Sequence, residues 1–145
     1  IEGMNSRLDT IQAAVLNVKL RYVLDWTKKR RENANLYLDL LSSITEVELP
    51  KIRVNSKHSF HLFVIKVKER NKLIEYLDKH DIASSIHYPT ILPDQKCYES
   101  LVHINSDFEQ SRADSKKILS LPMCPDLNKE EIIFIVNTIK QFYEA

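Results

Sequence analysis

The sequence predicts an α+β domain: a long N-terminal helix followed by a small, mostly antiparallel sheet with helices packed on it. Three observations predict it. Residues 7–42 contain neither glycine nor proline, residues 60–67 form a β-branched and aromatic run, and the last twenty residues repeat apolar side chains at helical spacing. With 145 residues there is room for one real core. The formal net charge is only +1, which offers no bulk attraction for nucleic acid or an anionic membrane surface. There is no apolar run of membrane-spanning length and no signal-peptide pattern, and the expected location is the cytoplasm.

The N-terminal segment reads I-E-G-M-N-S-R-L-D-T-I-Q-A-A-V-L-N. Gly3 is the only glycine of the chain and stands just ahead of a helical pattern. Ser6 and Asp9 have capping-box spacing, predicting a helix that starts at Arg7 and turns the positive end of its dipole toward Asn5, Ser6 and Arg7. An amide, a hydroxyl and a guanidinium beside free N–H groups are the parts of a phosphate or carboxylate site. The same residues also serve as a plain helix cap, and the segment alone does not separate the two readings.

Along the helix, Leu8, Ile11, Val15, Val18 and Tyr22 share one face, and Ala13, Leu16, Leu20, Val23 and Leu24 make a second apolar surface. A helix apolar on two sides is buried between two bodies, and a domain of this size offers one. The second body is another domain or another subunit. Lys28, Lys29, Arg30 and Arg31 fan around the cylinder rather than forming a stripe, so solvated helix surface is the expectation for them.

After Ser42 a polar connection through Lys57 accommodates one short edge strand. Phe60 to Val67 (F-H-L-F-V-I-K-V) has the pattern of a central strand covered on both faces. Leu73, Ile74, Tyr76 and Leu77 mark a short helix, and Ile82 to Tyr88 a further strand that ends at Pro89. Phe108 to Ile118 has helical spacing, and Leu119 to Leu121 a short strand stopped by Pro122. Asn128 caps a final amphipathic helix carrying Ile132, Ile135, Val136, Ile139 and Phe142.

The chain has five histidines and two cysteines, but no H-x-x-x-H, H-E-x-x-H or C-x-x-C spacing, so no metal site is expected. His58 and His61, three apart on a strand, would point to opposite faces. A single glycine rules out a P-loop or a G-x-G-x-x-G turn within this segment. His87 and Tyr88 end a predicted strand just before a proline, where side chains leave the sheet and can point into a cleft.

The order of several motifs resembles one family. G-M-N-S-R-L-D-T-I-Q-A-A-V-L at Gly3 to Leu16, R-R-E-N-A-N-L-Y at Arg30 to Tyr37 and H-S-F-H-L-F-V-I at His58 to Ile65 look like the DegT/DnrJ/EryC1/StrS sugar aminotransferases. So do I-H-Y-P at Ile86 to Pro89, Gln95 with Tyr98, and L-S-L-P-M-C-P-D-L at Leu119 to Leu127. The resemblance runs through essentially the whole chain. It implies a pyridoxal-phosphate enzyme of fold type I, a homodimer that aminates nucleotide-linked keto-deoxysugars with glutamate as donor. The wording of the third and sixth motifs leans toward enzymes acting on 3-keto-6-deoxyhexoses.

By that resemblance residues 1–42 are a linking segment and interdomain helix, and residues 43–145 the C-terminal small domain. The asparagine of the G-x-N motif, here Asn5, reaches the cofactor phosphate of the partner subunit, with Ser6 and Arg7 beside it. His87 and Tyr88 lie near the sugar-nucleotide entrance, and His61 is a further substrate-side candidate. The Schiff-base lysine of the family belongs to a large domain that is absent from these residues. The chain alone is therefore expected to be inactive. Two departures from the family pattern matter: a histidine common after H-Y-P is replaced by Pro93 or Asp94, and a glycine before the second strand is Asp81, a residue that tolerates the left-handed conformation. Two other classes fit the residues as they stand, a non-catalytic docking module and a small-anion sensor.

Overall fold

The computed structural model describes residues 7–98, 100 and 108–144. The stretch without glycine or proline forms two helices, α1 (Thr10–Leu20) and α2 (Val23–Leu41). Asp9, not Ser6, precedes the first helical turn, and its N–H donates to Oε1 of Gln12 at 3.2 Å, one arm of a capping box. The helix therefore starts at Thr10 rather than Arg7. At Arg21 and Tyr22 the N–H groups reach back three residues, to the carbonyls of Val18 and Lys19, and this tight turn ends α1.

The sheet has three antiparallel strands in the order β1 (Val47–Glu48), β2 (Phe63–Val67) and β3 (Ile118–Leu121). Phe63 lies opposite Leu121 and Ile65 opposite Leu119, so these four turn to one face together with Val67. That face is the core. Ala34, Tyr37 and Leu41 of α2 pack on it, as do Leu73 and Leu77 of α3 (Arg70–Asp78) and Ile132, Ile135 and Ile139 of α5 (Lys129–Glu144). The Tyr37 ring stacks on Phe63 with centroids 4.8 Å apart, and its hydroxyl donates to the Pro122 carbonyl at 3.1 Å. Burial, above all, pushes the Tyr37 phenol well above its ordinary range.

Val64 and Ser120 are paired on the opposite face of the sheet. The loop at 82–98 reaches that face through the bridge from Ser85 to Ser120. Behind the loop, α4 (Glu109–Ser115) is tied down by Arg112, whose guanidinium grips the Asp94 carboxylate through Nε at 3.0 Å and Nη2 at 2.6 Å. That hydrogen-bonded cation holds the Asp94 carboxyl below its ordinary value.

Three expectations need correction. The central strand begins at Phe63, not Phe60, because Phe60 takes φ 49° with its N–H donated to Nδ1 of His58 at 2.9 Å. A left-handed residue cannot continue a ladder. Residues 82–88 do not form a strand: the Ile82 N–H closes the end of α3 on the Leu77 carbonyl, and only Ser85 bridges to β3. Asp81, at φ 57°, makes the left-handed turn anticipated for it. The basic run is not all solvated. Arg30 donates from Nη1 to the carbonyls of Met123 at 2.9 Å and His61 at 3.3 Å, and Arg31 from Nε to that of His58 at 2.8 Å. Both arginines pin α2 to the loops at the end of the sheet.

The short edge strand, α3, β3 and the Asn128 cap stand where the sequence put them. The Glu131 N–H donates to Oδ1 of Asn128 and the Asn128 N–H to Oε2 of Glu131, each at 2.8 Å, closing a reciprocal cap on α5. The far end of α5 is held by Tyr143, whose hydroxyl donates to the Lys68 carbonyl at 2.7 Å.

Burial, reinforced by the carboxylates of Glu46 and Glu69, pushes the Tyr143 phenol from 10.0 up to about 12. The folded chain thus keeps a proton that the unfolded chain releases. The resulting stability is complete below the unfolded value near pH 10 and is lost as the pH rises through about 12. Urea midpoints measured across that window should fall more steeply for the natural chain than for Tyr143→Phe. Equal slopes would contradict this account.

Candidate functional site

On the outer face of the sheet, between the 88–95 loop and α4, lies an open groove of about 450 Å³. Tyr88, Ile91, Gln95, Phe108, Ser111 and Ile118 line it. Its walls are chiefly apolar, with hydroxyl and amide groups set among them and one carboxylate, that of Asp114, which is paired with Lys66 at 2.9 Å, the composition of a small-molecule cleft. The proline-containing loop is held in place by the Asp94–Arg112 pair.

The rings of the neighbours His87 and Tyr88 stand edge-on with centroids 5.5 Å apart. Tyr88 is 70% exposed and lines the groove. His87 is half-buried, with Nδ1 2.9 Å from the hydroxyl of Ser120. His61 is exposed, and no hydrogen bond or ring contact joins it to His87 or Tyr88 among the described residues. Its carbonyl is held by Arg30, which makes the residue part of the α2 anchor.

Ser120 was missed from the sequence. Its signal was one polar residue inside an otherwise apolar strand, in L-S-L-P, where alternation sends it to the face away from the core. Asp94 and Arg112 were missed as a pair because eighteen residues separate them along the chain.

Of the cofactor-side candidates, Asn5 and Ser6 lie outside the described residues. Arg7 is exposed, and one exposed guanidinium does not by itself enclose a phosphate. Helix α1 carries no buried residue. Ile11, Val15, Leu16, Val18, Leu20 and Leu24 are all exposed, from 50% at Val15 to 81% at Leu24. An apolar surface of this extent exceeds what scattered surface residues produce. Among the described residues there is no cluster of three metal-ligating side chains, and no helix is long and apolar enough to cross a membrane.

The family model of the DegT/DnrJ/EryC1/StrS aminotransferases matches residues 1–140. The chain belongs to this family. Among its relatives, the dTDP-3-amino-3,6-dideoxy-alpha-D-galactopyranose transaminase of Aneurinibacillus thermoaerophilus is 36% identical over 97% of the chain. A Geobacillus stearothermophilus relative known as "pleiotropic regulatory protein" is also 36% identical over 97%. In each case the match spans 38% of the relative's own length. The crystal structure of S. venezuelae DesV in complex with a ketimine intermediate superposes with a TM-score of 0.86 at 28% identity, covering all of this chain and 39% of DesV. The small α+β domain is thus a fold found within solved sugar aminotransferases, and the chain spans about two fifths of the length of these relatives.

Proposed function

We propose that this chain is the C-terminal part of a pyridoxal-phosphate-dependent transaminase that aminates a nucleotide-linked keto-deoxysugar, with glutamate as donor. The observation that carries the reading is the family match through nearly the whole chain to relatives more than twice its length. The name of the Aneurinibacillus relative supports a 3-amino-6-deoxyhexose product.

In this reading residues 1–42 link to a catalytic large domain and residues 43–145 are the small domain. Asn5, with Ser6 and Arg7, contacts the cofactor phosphate of the partner subunit in a cytoplasmic homodimer. When bound, pyridoxal phosphate supplies the electron sink for amino transfer. This chain supplies the groove. Tyr88 offers an exposed ring and hydroxyl on its wall, His87 a hydrogen-bonding edge beside it, and His61 is the outlying member of the set.

The uncovered α1 favours a second reading for the chain by itself, that of a docking module without chemistry of its own. One experiment separates them. The open reading frame with its upstream coding sequence is expressed beside residues 1–145, and 2-oxoglutarate release from glutamate is followed with dTDP- and UDP-linked keto sugars. The longer product should carry pyridoxal phosphate and release 2-oxoglutarate, and residues 1–145 should do neither. A longer product that fails to bind pyridoxal phosphate, or activity in residues 1–145 alone, would refute the proposal.

A further inference from the structure

We propose that Ser120 is a positioning residue for His87: its hydroxyl donates to Nδ1 and holds the imidazole in the tautomer that presents an N–H at Nε2 to an acceptor oxygen of the ligand. The proposal rests on the substrate-side reading of His87 given above.

The anchor is rigid. Ser120 is only 4% exposed and sits in β3 opposite Val64 of β2. On its other side its N–H donates to the Ser85 carbonyl at 2.8 Å, and its carbonyl accepts from the Ser85 N–H at 3.2 Å. The backbone beneath the hydroxyl is therefore held from both flanks, and the loop that bears His87 is stitched to the same residue two positions earlier. The bridge keeps the two backbones in register, so ring and hydroxyl start from fixed positions.

The direction of the bond follows from satisfaction of donors. The Ser120 hydroxyl makes one hydrogen bond among the described residues, to Nδ1 of His87 at 2.9 Å. If Nδ1 carried the proton it would donate to the hydroxyl oxygen, and the hydroxyl proton of this buried residue would then have no acceptor among the described residues, an arrangement folded proteins avoid. With the hydroxyl donating, both are satisfied and the ring proton resides on Nε2. Among the described residues that nitrogen has no hydrogen-bond partner, and it is not one of the buried side-chain atoms left without one, which leaves it to a ligand. Tyr88 stands edge-on to the same ring and lines the groove. A neutral, pre-aligned N–H suits a hydroxyl, carbonyl or phosphoryl oxygen of a sugar nucleotide.

The test is the tautomer of His87 in the ¹⁵N-labelled full chain, read by long-range ¹H–¹⁵N correlation above the histidine titration range. Nδ1 should show the shift of an acceptor nitrogen and Nε2 that of a protonated one. Ser120→Ala should raise the minor Nδ1–H population about fivefold, the change expected from loss of one hydrogen bond, and Ser120→Thr should restore the natural ratio. A proton on Nδ1 in the natural chain, or the same ratio in Ser120→Ala, overturns the proposal. In the longer enzyme Ser120→Ala should raise KM for the nucleotide sugar and leave kcat in place, and an unchanged KM alongside a raised KM in His87→Ala also overturns it. Failure of the substrate-side reading itself looks different: His87→Ala would leave KM untouched whatever the tautomer proves to be.

Discussion

Phe63→Ala is expected to cost about 3–5 kcal/mol of folding stability, the range for truncating a fully buried aromatic. Domains of this size have only about 5–15 kcal/mol in total, so the variant should be partly unfolded under mild conditions. The ring is 1% exposed, at the first position of the central strand, opposite Leu121. It stacks on Tyr37 at 4.8 Å and lies 6.0 Å from Phe60, so it joins α2, the sheet and the pre-strand loop at one point. Alanine would leave a cavity bordered by three rigid elements, none of which can collapse alone. Urea unfolding with an unchanged slope measures the loss. Phe134→Ala is the control: that ring is 53% exposed on α5, and its removal should change stability by about 0.5 kcal/mol or less. Similar losses for the two variants would show that the core is not where Phe63 places it.

The second large effect belongs to α1. In residues 1–145 the double variant Leu16→Glu/Leu20→Glu should melt within a degree or two of the natural chain, because both side chains are already more than half exposed. It should also self-associate less. In the longer enzyme the same pair should weaken assembly or activity at least about a hundredfold. Each leucine buried there is worth about 1.5–3 kcal/mol, and 1.4 kcal/mol is a factor of ten. Analytical ultracentrifugation and the 2-oxoglutarate assay read the two arms. A large loss of thermal stability in residues 1–145 would mean that α1 packs on this domain after all, and an unaffected longer enzyme would mean that nothing covers the face.

Elements built from local signals were legible. Asn128 with Glu131 is a reciprocal cap whose residues are three apart, and Leu73 with Leu77 is one helical step, so composition and spacing suffice for α3 and α5. The family resemblance came from motif order, and the match over residues 1–140 agrees with it. The errors fall where a nearby side chain or the end of a helix takes a backbone N–H that the strand pattern leaves for a ladder. Phe60 to Val67 is uniformly strand-like in composition, yet His58 claims the Phe60 N–H and bends the chain, so the strand is three residues shorter. Ile82 to Tyr88 alternates well enough for a strand, but the Leu77 carbonyl takes its first N–H.

Tyr88 could be picked out because a proline ends its segment, and it lines the groove with His87 beside it, whereas the contact of His61 is made by its carbonyl, with Arg30. Arg30 and Arg31 looked like surface charge because four cations in a row usually are. Their bonds to carbonyls near residues 58, 61 and 123 depend on how the loops return to α2, which no window along the chain contains.

By itself the sequence determined the α+β class, the Asn128 cap, the apolar faces of α1 and the family, all of which follow from short-range spacing or from the order of motifs. The tertiary structure decided that Arg30 and Arg31 tie α2 to the loops at the end of the sheet, that Arg112 meets Asp94, and that the Ser120 hydroxyl lies against Nδ1 of His87. Those outcomes depend on residues far apart in the chain that meet only when the loops close, and hydrogen bonds of 2.7–3.2 Å leave no trace in local spacing.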